Sequence, residues 1–569
     1  MLPDGAHLRG EDWTVFYLGQ TASMAVAPVL SHEPTAVAGR PVSSYPPGER
    51  PRRGTPGGGL LYVLNCVRMK EDKSMRRGAM VKAMAIATPN PYIGIYKPLL
   101  LLALEEYFAN PSHEILAKLY DSANAISTAG MPILTREEKI LLRQTDRKDC
   151  LEFRFGLHEG ANTTTDDASI SELAADSSIG HESRDRAPSI SSSRPQMVRK
   201  NSSSSSSAYH GTPDLNAPPP RRGVPRDTHF FETEAKFRKI TVPIRIPMTV
   251  FDEDVGDYSI IELVQTFSQN IQPFSPPFHP YLHTNGANTH PVILIFNAIL
   301  AHKRVMFLGH GLPANHVARM VLAACAMVSG CGQVLRGMTE CAFPYANLAS
   351  LDVLEEFPGF VAGVCNPRFE ELPHTWDVLC NLETGKVIVS KELKLVIPSK
   401  SDGASESSVP SANSEEASLA NGKISQVKRD DCIDNQFIEE ILSASNQHYG
   451  EHHIRVRFTD YISRFVRLAA YQEFLHLGYT RIGYPYATYR DGHLGSGVVF
   501  IDDSLRQREM YGNAHRIDAW RKTRSYRLVQ KVSTTPVEQT LTASRTGSTS
   551  SAMRQSRALM PCTMSSASA

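Results

Sequence analysis

The chain has 569 residues, of which 41% are hydrophobic, and 60 basic side chains stand against 59 acidic ones for a net charge of +1. That length exceeds what one hydrophobic core usually holds, so two or three domains are expected. The balanced charge gives no electrostatic case for nucleic acid as a partner.

In chain order, EDWTVFYL (11–18) reads as a short strand, and the Pro-, Gly-, Ser- and Arg-rich stretch 32–59 as a disordered loop. LLYVLNCVRMK (60–70) is dense in β-formers, and AMVKAMAIAT (79–88) is its expected antiparallel neighbour. YKPLLLLALEEYFAN (96–110) has the apolar density of a buried helix, and ILAKLYDSANAI (115–126) is a second helix. Residues 158–226, with ISSSRP, VRKNSSSSSSA and APPPRRG, cannot bury enough apolar surface to order themselves. Beyond them, FFETEAKFRKITVPIRIPM alternates like a strand entering a Pro-bounded corner.

The middle of the chain is the most informative part. YSIIELVQTF (258–267) is helical, and so is NTHPVILIFNAILAHK (288–303), with Pro291 suited to a first helical turn. RVMFLG (304–309) is a strand, and ANHVARMVLAACAMVSG (314–330) an amphipathic helix closed by Gly330. Residues 357–389 read as a strand (359–365), a fixed Asn366-Pro367 corner and another strand (385–390), with Phe360 and Trp376 expected in the core. Strand, helix and strand joined by short links imply an α/β module with a mixed or mostly parallel sheet. A Ser-rich linker follows at 399–425. Residues 433–474 then repeat apolar positions at helical spacing (Phe437, Ile441, Leu442; Phe458, Ile462, Phe465, Val466, Leu468), and 531–569 form a Ser/Thr tail without a core.

Nine cysteines (Cys66, Cys150, Cys325, Cys331, Cys341, Cys365, Cys380, Cys432 and Cys562) include no Cys-x-x-Cys pair and fall mostly in apolar runs. That suits free thiols in a reducing compartment better than a disulfide framework. MLPDGAHLRGEDW is too polar for a signal peptide, no apolar run approaches the ~18 residues of a membrane-crossing helix, and MSSASA carries no prenylation motif. A cytoplasmic protein is expected, recruited to membranes through partners.

Motifs that would carry chemistry are weak. Gly309-His310-Gly311-Leu312-Pro313 lies between a strand and a helix, where phosphate can sit, but lacks the Gly-Lys-Ser/Thr of a P-loop and reads as a tight turn. His448 and His452 are spaced like zinc ligands, without HExxH or a nearby Cys. Gly495-Ser496-Gly497 misses the hydrolase-elbow spacing. Cys325, Cys331 and Cys341 match no zinc pattern. Arg50, Arg52, Arg53, Arg221, Arg222 and Arg226 sit in linkers and read as solvated. Ser189 and Ser202 each follow a basic residue by three positions and are candidate phosphosites. No catalytic residue, cofactor or metal is expected.

LYVLNCVRMKEDKSMRRGAMVKAMAI, ILIFNAILAHKRVMFLGHG, FPYANL (343–348) and PGFVAGVCNPRFEELPHTWDVLCNLETGKVIVS together resemble the DENN family, in the fungal SPA (stabilisation of polarity axis) branch. Pro358, Gly359, Gly363, Asn366, Pro367, Phe369, Trp376 and Asp377 stand where that branch places them. The resemblance implies a tripartite α/β architecture: an upstream longin-like DENN lobe (1–157), a central DENN lobe (228–396) and a downstream helical module (433–530). A disordered linker is expected at 158–227, another at 397–432, and a disordered tail at 531–569. Relatives usually carry a longin strand pair and helix before the MLPDGAHLR-like segment, so the upstream lobe is expected to be N-terminally incomplete.

The implied function is regulation of a small GTPase of Rab or Arf type in vesicle traffic and cell polarity, as a guanine-nucleotide exchange factor or a docking protein. The alternative is a non-exchanging scaffold that binds a GTP-loaded GTPase or cortical polarity proteins. Localisation would be cytoplasmic, with recruitment to vesicles or to the cortex at sites of polarised growth.

Overall fold

The computed structural model describes residues 3–5, 9–20, 26–28, 60–73, 78–156, 226–251, 253–394, 433–482 and 497–531. Ser189, Ser202, most of the stretches read as linkers, and the tail beyond 531 lie outside the described residues. The strands are β1 (Glu11–Gln20), β2 (Val26–Pro28), β3 (Leu60–Glu71), β4 (Ala79–Thr88), β5 (Phe230–Phe237), β6 (Ile240–Pro247), β7 (Arg304–Leu308), β8 (Ala342–Phe343), β9 (Phe360–Val364), β10 (Val378–Asn381) and β11 (Lys386–Val389). The helices are α1 (Lys97–Ala109), α2 (His113–Asn124), α3 (Arg136–Arg143), α4 (Glu152–Gly156), α5 (Ile260–Thr266), α6 (Pro291–Leu300), α7 (Ala314–Ser329), α8 (Leu351–Glu355), α9 (Ile433–Asn446), α10 (Gly450–Leu477) and α11 (Asp503–Arg521). The class is mixed α/β.

The first sheet is antiparallel in the order β2-β1-β3-β4. β3 is its spine: it pairs with β4 from Tyr62↔Thr88 to Glu71↔Ala79 and with β1 from Glu11↔Arg68 to Gly19↔Leu60. Tyr62 to Val67 are all buried, and since successive side chains of a strand point to opposite faces, both faces of the sheet are covered. α1 lies against β3 and β4, and α7 lies against β1. α1 presents Leu99, Leu100, Ala103 and Leu104, the i, i+1, i+4, i+5 spacing of one helical face. Thr14 and Asn65, buried on adjacent strands, satisfy each other: Asn65 Nδ2 donates to Thr14 Oγ1 at 3.2 Å.

Residues 230–247 form a hairpin, where the alternation alone predicts one strand. The chain reverses at Arg238, which takes the left-handed conformation (φ 54°), and β5 pairs with β6 from Phe230↔Pro247 to Phe237↔Ile240. Pro243 fits inside β6 because this is a two-stranded sheet with edges, where a missing N–H costs no ladder bond. Just before it, Arg226 stacks its guanidinium 4.7 Å from the Phe155 ring, and Thr228 donates its N–H to Lys148.

The second sheet runs β11-β10-β7-β9-β8. β10, β7, β9 and β8 are parallel, and β11 returns antiparallel to β10. α6 precedes β7 with Pro291 in its first turn, and the His290 side chain accepts the Val292 N–H at 3.2 Å as its cap. Every residue of α6 is buried. α7 is also buried almost all round, leaving Asn315, His316 and Arg319 half-exposed, because it is covered by the central sheet, the first sheet and the C-terminal helices together. The amphipathic face read from the sequence is therefore a narrow stripe. Gly330, at φ 64°, closes it.

α9, α10 and α11 cap the opposite side. α10 packs on α7 and α5, while α9 and α11 pack on α6. Phe437 stacks on Tyr461 with ring centroids 4.4 Å apart, and Phe465 meets Trp520 edge-on at 5.4 Å. Among the described residues, no helix is long and apolar enough to cross a membrane.

Candidate docking site

The eight motif residues converge on the centre of the second sheet and build it. Gly359 and Gly363 are places of close backbone approach: a Cβ on Gly359 would stand 2.1 Å from the His302 carbonyl oxygen, and one on Gly363 2.6 Å from that of Pro344. Only a residue without a side chain lets β9 pass there. Asn366 caps the 3-10 turn 367–371 by accepting the Arg368 N–H at 3.0 Å, with Pro367 at its first position. The turn carries Phe369 into the core and aims its carbonyl at Trp376, whose Nε1 donates to it at 3.0 Å. Asp377 then locks β10 to β7. Its Oδ2 accepts the Arg304 N–H at 2.9 Å and its Oδ1 the Arg304 guanidinium at 3.0 Å. Pro358 is exposed at the entry to β9. Pro367 is exposed as well, whereas Phe369, Trp376 and Asp377 face inward as scaffold.

Three sets of polar contacts fasten the flanking layers to this sheet. First, the buried carboxylate of Asp12 on β1 accepts the N–H groups of Ala314 (2.8 Å) and Asn315 (3.1 Å) at the start of α7. The anion position above the 309–313 loop is thus taken by a side chain of the chain itself. Second, Asp434 of α9 and Arg516 of α11 form a buried ion pair at 3.1 Å, shared with the Tyr461 hydroxyl, which donates to Asp434 at 2.7 Å, and with Thr284. Arg516 also donates to Asn297 at 3.3 Å. Burial opposes the charge on Arg516; the Asp434 carboxylate outweighs it and holds the guanidinium pKa above its ordinary value. Third, Glu451 of α10 caps α5, accepting from Ser259 Oγ and the Ile260 N–H, both at 2.8 Å.

The N-terminal, central and C-terminal layers meet at Phe251. The guanidinium of Arg143 lies 4.6 Å from its ring centroid, that of Arg136 5.1 Å, and the ammonium of Lys139 5.7 Å. All three cations come from one face of α3, at i, i+3 and i+7. Arg136 donates to the carbonyls of Gly332 and Gln333, Lys139 to that of Val250, and Arg143 to those of Thr249 and Cys331. Arg143 also meets Asp254, to which Tyr258 donates and which Arg455 of α10 approaches at 3.8 Å.

Beside this cluster lies a cavity of about 370 Å³ walled by Arg136, Lys139 and Arg336 together with Glu253 and Glu340. Both carboxylates are engaged. Glu253 accepts from the Gly337 N–H, the Thr339 N–H and Thr339 Oγ1, and Glu340 pairs with Arg524. Among the described residues, Arg336 has no hydrogen-bond or ion-pair partner. The cavity thus offers cationic character to an acidic side chain arriving from outside.

Burial pushes the thiols of Cys331, Cys341 and Cys365 up to about 12 and holds those of Cys325 and Cys380 well above the ordinary thiol value, so they stay protonated near neutral pH. His448 sits in a left-handed turn (φ 59°) before α10, off the helix that carries His452 and His453. Gly495 and Ser496 lie outside the described residues. Of the residues that matter to the assembly, Asp12, Asn297, Asp434 and Arg516 carry no motif. Asn297 alone had a local signal, as the one polar residue in an otherwise apolar helix.

The protein is therefore a mixed α/β molecule whose described polar clusters hold its layers together. Residues 278–391, from the approach to α6 through β11, match the SPA family, stabilization of polarity axis. The chain is also similar to an AFI1-like protein of Schizosaccharomyces pombe: 27% identity over 531 residues, covering 93% of this chain and 73% of the relative.

Proposed function

We propose that the protein regulates a small GTPase of Rab or Arf type in polarised growth and vesicle traffic, by promoting nucleotide exchange or by docking the GTPase. The observation that carries this reading is the SPA match over 278–391, the same residues that build the central sheet to which the other layers are pinned. The resemblance of the flanking segments to DENN proteins points the same way. An exchange factor breaks no covalent bond. It binds the nucleotide-poor GTPase more tightly than the loaded one, and that differential affinity expels the nucleotide. The requirement is a stiff surface with a few charges, and the cationic cavity at the three-layer junction fits an acidic anchor of such a partner.

The test is release of a fluorescent GDP analogue from a panel of Rab and Arf GTPases, with the wild type and with Arg336→Glu. Acceleration for one GTPase, reduced at least tenfold by Arg336→Glu, supports exchange through this junction. Binding of the GTP form without acceleration replaces exchange by scaffolding. No binding to any member overturns the proposal.

A further inference from the structure

β11 is the outermost strand of the central sheet, and its outer edge has no strand partner among the described residues. Ser390 donates its N–H to Asp377, so the inward-bonded residues of the hairpin are Ser390, Ile388 and Lys386. The N–H and C=O groups of Val387 and Val389 therefore point outward. Along this edge runs a cavity of about 320 Å³ whose wall includes every residue from Gly385 to Lys391. The facing wall is the segment with Pro273, Pro276 and Pro277, three residues that have no N–H with which to close the edge. The charged residues of the lining are Lys386 and Lys391, both exposed, and the lining holds no carboxylate. In the same wall His279 is fully buried, yet neither of its ring nitrogens has a hydrogen-bond partner. A buried polar ring of that kind is costly unless something arrives to meet it.

We propose that this edge takes up an extended acidic segment of a partner protein as an added strand. Backbone pairing runs along Val387 and Val389, and the acidic side chains reach Lys386 and Lys391. Two independent features converge on that occupant: an open strand edge selects extended backbone, and a lining with cations and no anion selects acidic side chains. The surface is separate from the junction at Phe251 and does not depend on the GTPase reading.

The probe is a fluorescein-labelled alternating Glu-Val octapeptide, with the Lys-Val octapeptide as its counterpart, titrated against the full chain by anisotropy with hydrogen exchange read at β11. The expected result is binding of the Glu-Val peptide at least tenfold tighter than of the Lys-Val peptide, with slowed exchange at Val387 and Val389. Lys386→Glu combined with Lys391→Glu weakens it at least tenfold. Val389→Pro, which removes an outward N–H and leaves the inner ladder intact, abolishes it. The proposal is overturned by no binding, by equal binding of the two peptides, or by binding that the charge reversal leaves unchanged. It is also overturned if inositol hexakisphosphate occupies the cavity while the peptide gives no protection of the β11 amides, which would make this an anion pocket.

Discussion

Asp12 and Ala314 are 302 residues apart in sequence and 2.8 Å apart across a hydrogen bond. The carboxylate sits on the second residue of the first strand and serves as the N-terminal cap of a helix in the central layer. Asp12→Ala would leave the buried N–H of Ala314 without a partner and remove a negative charge from the helix start. We expect a loss of about 2 kcal/mol in guanidinium denaturation, with earlier protease cleavage of the N-terminal layer. A variant that unfolds at the parent's midpoint would show that the cap contributes nothing.

Trp376 is 4% exposed and hydrogen-bonded to the Phe369 carbonyl. Trp376→Ala should destabilise the central sheet by about 3–5 kcal/mol. Trp376→Phe keeps most of the packing and loses the bond, so about 1 kcal/mol is expected. Thermal melts of the two variants separate packing from hydrogen bonding. Equal shifts would contradict the assignment.

For Asp434 and Arg516, removal of one partner is worse than removal of both. Arg516→Met strands the Asp434 carboxylate in the interior, at an expected cost of about 3–5 kcal/mol. Asp434→Leu combined with Arg516→Met should recover part of that loss. A double-mutant cycle by urea denaturation measures the coupling, and strict additivity would exclude a working pair.

His283 is buried, packed edge-on to Phe274 and Phe278, and accepts the His279 N–H at 3.1 Å. Burial first, and the neighbouring His279 second, push its pKa down to about 4 from 6.5. The unfolded chain therefore takes up a proton that the fold refuses. Stability should be level above pH 6.5, fall as pH drops toward 4, and level again below it. The span is about 3 kcal/mol from this group. His283→Gln should flatten that part of the denaturation profile; an unchanged slope would assign the dependence to other groups.

The sequence reveals elements whose local pattern is strong. β3 is long and rich in β-formers, and β4 follows it after a short basic stretch of sequence. α6 announces itself with Pro291 and ten apolar-dominated residues, and α7 with its closing Gly330. α3 is too charged to show apolar periodicity, although Thr135 and Glu138 form a capping box that marks its start. α11 is similarly polar along its length. β10 has four residues and borrows its identity from its neighbours, and the 230–247 hairpin turns at Arg238-Lys239, which carries none of the usual Gly or Asn signals. The long-range contacts were illegible for a different reason. Asp12 on Ala314 and Arg516 on Asp434 join segments that share no local pattern, so only three-dimensional packing brings them together.

The span between Asp12 and α7 also sets a schedule. A ribosome adding about 5–20 residues per second needs roughly 15–60 s to reach the helix start after releasing the strand. During that interval the N-terminal sheet exists with one face uncovered and its future buried carboxylate still hydrated. Nascent chains of this protein should therefore be most dependent on chaperones between synthesis of β4 and synthesis of α7, and least dependent once that helix can fold back onto β1.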